Sequence, residues 1–175
     1  MLLKKRVTNV SKIIQGIGLL KKGLKMIFKK VDGTEIVLED YIREYIGTHP
    51  DMELLIGCDS QNRRKKTMFA IVVAMYNPGK GAHVVFKRWT ERRGNSRNER
   101  LLKEVWSSVE VAEQLRQSGI TNVKYIDVDL NPNPKYRSND VLSSAKGMVE
   151  GMGYEMRYKT LGPLVTCMAD SIVRE

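Results

Sequence analysis

The sequence predicts a mixed α/β domain: a five-stranded sheet in the order βββαβαβα, flanked by helices and extended on its amino-terminal side by a hairpin and a short helix. Three observations carry that expectation. Residues 53–58 form a nearly continuous apolar run of the kind found in a central strand. Two more strand-like runs follow at once and make a meander. Beyond them, runs with the 3.6-residue helical period alternate with short apolar runs, which is the pattern of helices crossing a sheet.

Taken in order, residues 26–31 and 34–38 flank Asp32-Gly33, a dipeptide that supplies the positive φ of a tight hairpin. A short helix is expected over 39–46, ended by Gly47 and Pro50. The central strand 53–58 runs into Asp59-Ser60-Gln61, and strands over 67–76 and 82–89 follow, joined by the turn Asn77-Pro78-Gly79-Lys80-Gly81. Residues 98–117 form the clearest helix, with Leu101, Leu102, Val105, Val109, Ala112 and Leu115 on one face and Gly119 past its end. A strand over 123–130 stops at Asn131-Pro132-Asn133-Pro134, because proline cannot donate to a ladder. Ser138 is placed to cap a helix over 139–150, Gly151 and Gly153 close it, and 154–159 alternates as the fifth strand. Pro163 suits the first turn of a last helix.

The chain of 175 residues is long enough for one domain with an appendage, and 42% hydrophobic with 29% charged residues is ordinary globular usage. No apolar run approaches the roughly 20 residues that cross a bilayer, so no integral membrane segment is expected. The net charge of +10 is uneven. Residues 1–30 hold nine basic residues and no acid, which leaves the remaining 145 residues at +1. We therefore divide the chain into a basic arm, 1–25, and a domain, 26–175. The arm places Val10, Ile13, Ile14, Ile17, Leu20 and Leu24 at helical spacing, and its readings are a nucleic-acid-touching or self-packing helix, a membrane-surface segment, or a poorly ordered extension. Within the domain, bases cluster at Arg63, Arg64, Lys65 and Lys66, and again between Lys87 and Lys103, where Arg92, Arg93 and Arg97 lie. Basic loops around an acidic remainder fit a site that holds phosphates at its rim and cations at its centre. Either loop alone reads as a solvated surface.

Cys58 and Cys167 sit in apolar runs with no metal-finger spacing, so both read as core residues of a protein in the reducing cytosol. His49 and His83 are the only histidines, and neither has a neighbour that would build a zinc site or a Ser-His-Asp triad. Any chemistry therefore falls to carboxylates. Asp59 ends the buried first strand of the meander, where a lone carboxylate is costly. On the long helix Glu99 and Glu110 project away from the apolar stripe and only Glu104, at its edge, looks toward the sheet. Asp127 and Asp129 share one face of the fourth strand. Asp170 is the only acid between Leu161 and Arg174. Singly, each has an ordinary reading as a turn residue or a solvated point. Together they form a cluster that repels itself unless divalent cations neutralise it, and all-oxygen ligands select Mg²⁺ or Mn²⁺. Two such ions about 3.5–4 Å apart cleave a phosphodiester without histidine.

The ordered set Ile56-Gly57-Cys58-Asp59-Ser60-Gln61, Gly79-Lys80-Gly81-Ala82, Arg100-Leu101 with Glu104 and Ser108, Asp129-Leu130-Asn131 with Tyr136 and Ser138, and Ala169-Asp170 resembles the ribonuclease H-like superfamily and, within it, the YkuK-type family. The resemblance runs from Met26 to the carboxyl end. Two positions depart from it, Cys58 where a small hydroxyl residue is usual and Thr160 where proline is common, and neither removes a carboxylate. It implies a ribonuclease H-like fold in which Asp59 bridges two metals, Glu104 binds one and orients the attacking water, and Asp129 and Asp170 complete the ligands. Asp127 is then a substitute or supporting ligand, and Lys159 a phosphate contact. The expected function is a metal-dependent nuclease acting on RNA, RNA–DNA hybrid or branched DNA. The alternative is a nucleic-acid-binding module on the same fold that does not cut.

Overall fold

The computed structural model describes residues 25–94, 96–158 and 164–174. The basic arm, Lys159 and Pro163 therefore lie outside the described residues. The elements are β1 (Ile27–Lys30), β2 (Glu35–Val37), α1 (Leu38–Thr48), β3 (Glu53–Arg63), β4 (Lys66–Asn77), β5 (Gly81–Arg92), α2 (Arg97–Gln117), β6 (Val123–Val128), a 3₁₀ turn (Arg137–Val141), α3 (Leu142–Gly151), β7 (Glu155–Tyr158) and α4 (Leu164–Arg174).

All seven strands join one mixed sheet in the order β2-β1-β5-β4-β3-β6-β7. The meander β3-β4-β5 is antiparallel, whereas β6 pairs parallel with β3 and β7 parallel with β6. The expected central strand is thus central, held by the meander on one side and the crossover strand on the other. The strand count exceeds the expected five because the amino-terminal hairpin belongs to the sheet. Lys29 pairs with Phe86 and Lys30 with Val85, so the hairpin covers the open edge of β5. Its turn is as the sequence indicates: Gly33 has φ +88°, and the Asp32 carboxylate accepts from the Thr34 amide at 2.9 Å.

Alternation along β3 divides the core. Leu54, Ile56 and Cys58 point to the face covered by α1, α2 and α3, and Leu55 points to the face covered by α4, where Val72, Ala74, Val165, Ala169 and Val173 meet it. Two local expectations need correction. β3 does not stop at Cys58 but continues to Arg63, opposite Lys66, so Asp59 stands inside a paired strand facing Ala70. Polar side chains do not end a strand whose partner folds straight back on it. Ser138 caps no helix. It lies in the 3₁₀ turn and its hydroxyl accepts from the Asn131 amide at 3.1 Å, fixing the loop that leaves β6. No described helix is long and apolar enough to cross a membrane.

Candidate active site

The site is built around the second half of β3. In the parallel ladder Gly57 is level with Asp127, and Asp129, two residues on and just past the end of β6, comes near enough to Asp59 for its charge to act on it. The approach is tight at Gly57: a Cβ there would lie 3.2 Å from Thr166 Cγ2 and 3.3 Å from Asp127 Cβ, so a neighbour would have to give by a few tenths of an ångström. Asp59 is half-buried, and its carboxyl is pushed up to about 6 by burial and then by the charges of Asp129 and Asp170, against the Ser60 amide and Arg100, which pull it down. Two aspartates, one from the chain just beyond β6 and one from α4, therefore lie within electrostatic reach of Asp59 on β3.

Glu104 arrives from α2. That helix starts at Ser96, whose hydroxyl accepts from the Glu99 amide at 3.2 Å, and runs 21 residues across the sheet. As the helical period predicts, Glu99 is exposed and Glu104 turns inward, at 4% exposure. The Ser60 hydroxyl donates to Glu104 Oε1 at 2.5 Å. Arg100, one turn earlier, donates from a single nitrogen, Nη1, to Glu104 Oε1 at 2.9 Å and to the Ser60 carbonyl and hydroxyl at 2.9 and 2.6 Å. Burial nevertheless pushes Glu104 up to about 8, helped by Asp59 and Asp129 and opposed by Ser60 and Arg100. The sequence reading missed Arg100 as a partner, although its i,i+4 spacing from Glu104 was a readable signal. It also missed Glu113, a second inward acid of α2 that accepts from Tyr154 Oη at 2.7 Å beside Arg116.

Asp127 and Asp129 differ. The Asp127 side chain is fully buried; Arg157 Nε and Nη2 reach its two oxygens at 2.7 and 2.8 Å, and the Val165 amide donates to Oδ2 at 3.2 Å. Both oxygens are engaged in tying β7 and the start of α4 to β6. Asp170 is 41% exposed and forms a two-point ion pair with Arg174 at 2.8 Å. Cys58 is buried beside the cluster, its thiol pushed well up by burial and by the charges of Glu104 and Asp59, while Cys167 is exposed on α4 and is no core residue. Among the described residues, no three His, Cys, Asp or Glu side chains stand so as to hold a metal ion between them as placed.

The basic residues gather in a trough next to this cluster. Its outer part, about 890 Å³, is lined by Arg64, Lys65, Lys66, Arg92 and Arg93. Its inner part, about 440 Å³, shares Arg92 and Arg93 and adds Arg97, Arg100 and Lys103. Arg63, an expected member, and Lys103, which the sequence places at the end of the second basic stretch, need comment. Arg63 turns away, donating from Nη2 to the carbonyls of Val173 and Arg174 at 3.1 and 2.8 Å, which satisfies the end of α4. Lys103 pairs with Glu91, and Glu91 also accepts from Trp89 Nε1 at 3.0 Å. Among the described residues of the trough, Arg100 is the one that hydrogen-bonds a carboxylate of the cluster, Glu104.

This geometry can be set against known families. The family model described as Ribonuclease H-like matches residues 37–174. No curated protein matches the chain. The matched span runs from the end of β2 to the end of α4, so it holds every carboxylate of the cluster and the whole trough. With most of its length matched and a mixed sheet covered by helices on both faces, the chain belongs to the ribonuclease H-like family.

Proposed function

We propose that the protein is a divalent-metal-dependent nuclease that hydrolyses phosphodiester bonds of RNA, RNA–DNA hybrid or branched DNA. The observation that supports this reading most is the gathering of acids from four different segments around Asp59, which feels the charges of Asp129 and Asp170 while Glu104 feels those of Asp59 and Asp129, beside a trough of arginines and lysines. Such a cluster is unfavourable alone and is relieved by a hard cation, and its donors are all oxygen, so it fits Mg²⁺ or Mn²⁺. Two ions held by Asp59, Glu104, Asp129 and Asp170 would activate water and steady the leaving oxygen. Glu104, raised to about 8 without metal, would orient the attacking water and, once ionised beside the bound cations, accept its proton. Arg92, Arg93 and Arg97 hold the backbone of the nucleic acid, with Arg64, Lys65 and Lys66 further out. Both cysteines are free thiols, in keeping with work in a reducing cytosol.

Incubation with labelled RNA, hybrid and junction substrates in Mn²⁺ tests the reading. Cleavage that disappears in chelator and in Asp59→Asn is expected; no cleavage of any substrate, or cleavage unchanged in Asp59→Asn, overturns it. One observation favours a second reading, a binding module that does not cut: Glu104 already has Ser60 and Arg100 as partners. That reading expects salt-sensitive binding through the trough with no turnover in any metal.

A further inference from the structure

Arg100 stands where the trough meets the carboxylates, and the form of its grip is informative. All three of its hydrogen bonds leave from Nη1, at 2.6–2.9 Å, while its Nε is buried and makes none. Its side chain is 22% exposed, open to the trough, although the carboxylate it neutralises is almost wholly covered. A guanidinium fastened for good to a carboxylate uses both prongs of its fork. Arg100 uses one.

We propose that Arg100 is an exchangeable counter-ion, which neutralises Glu104 until a divalent cation arrives and then turns to the trough to bind a phosphate of the nucleic acid. The inference rests on the metal-dependent reading above. A buried carboxylate needs a cationic partner, and Arg100 provides it whenever Glu104 is ionised in the metal-free protein. A guanidinium and a divalent ion on the same carboxylate repel each other, so the ion displaces the weaker, one-pronged partner. The released guanidinium has the planar donor geometry that suits phosphate oxygens. Metal and nucleic acid then favour each other's binding, and by linkage the effect is reciprocal.

The sign of one effect tests this. Calorimetric titration of the full chain with Mn²⁺ is compared for wild type, Arg100→Met and Glu104→Gln. Removal of a competing cation should tighten Mn²⁺ binding in Arg100→Met, by on the order of tenfold. Glu104→Gln should weaken it. Arg100→Gln, which keeps a donor for Ser60, should also tighten it and serves if the methionine variant does not fold. In Mn²⁺, both Arg100 variants should bind a labelled phosphorothioate oligonucleotide several-fold more weakly than wild type, with a shallower salt dependence. If the Arg100 variants bind Mn²⁺ more weakly than wild type or equally well, Arg100 is a fixed support and this inference fails while the metal-dependent reading stands. A wild type that takes up no Mn²⁺ removes both.

Discussion

Two buried carboxylates, on opposite faces of the sheet, each meet an arginine, and they meet it differently. Asp127 takes both prongs of Arg157, one on each oxygen, and a backbone amide besides. Glu104 receives one nitrogen of Arg100 and one hydroxyl, both on the same oxygen, and its proton affinity stays far above that of an ordinary carboxylate. The first arrangement is what a fastener needs, since both oxygens have a donor. The second leaves a carboxylate that is covered but not satisfied by its neighbours, beside two others of the same sign. The two acids are alike in burial and differ in the number and direction of their donors.

Replacing Asp127 should give the largest loss. Asp127→Asn leaves Arg157 without its counter-charge and weakens the tie between β6, β7 and α4, and should cost about 3–5 kcal/mol in equilibrium denaturation. A loss below about 1 kcal/mol would break the contrast with Glu104, whose neutral variant should fold at least as stably as wild type without metal.

The next effect is on pH dependence. Glu104 is raised to about 8 from 4.5 and Asp59 to about 6 from 3.8. Between the unfolded and folded values the native state keeps a proton that the unfolded chain has lost, so stability falls as pH rises. The contribution of Glu104 is complete below about 4.5 and is lost as pH passes through about 8. In chelator, the melting temperature should therefore drop from pH 5 to 8.5 more steeply in wild type than in Glu104→Gln. Equal slopes in the two proteins would remove Glu104 from the working group.

A smaller effect is expected where the two regions touch. Gly57→Ala brings a Cβ against Thr166 and Asp127 and should cost about 1–3 kcal/mol through overpacking. Because that shift pushes β6 away from Asp59, it should also weaken Mn²⁺ binding, which a purely structural clash elsewhere would not. The smallest effect on stability belongs to the trough. Arg92→Ala with Arg93→Ala should change it by no more than about 0.5 kcal/mol, while lowering nucleic-acid affinity and reducing the salt slope by about one per lost phosphate contact.

Much of this was legible in the sequence because it follows from periodicity. The central strand, the long helix, the inward turn of Glu104 and the approach of Asp129 to Asp59 need only a period of 2 or 3.6 and a parallel crossover. What was not legible depends on partners distant in the chain. Asp127 and Asp129 look equivalent on a strand, and it takes Arg157, 30 residues on, to separate them. Arg63 reads as one more base in a basic turn until the end of α4, 110 residues later, supplies carbonyls for it. The hairpin's place at the sheet edge depends on β5, more than 50 positions away, and no local pattern encodes it.

A crystal soaked in Mn²⁺ and examined for anomalous scattering tests the distinction most directly. The account predicts density among Asp59, Asp129 and Glu104, with Arg157 still holding both oxygens of Asp127. Density on Asp127, or none beside Asp59 at saturating Mn²⁺, would contradict it.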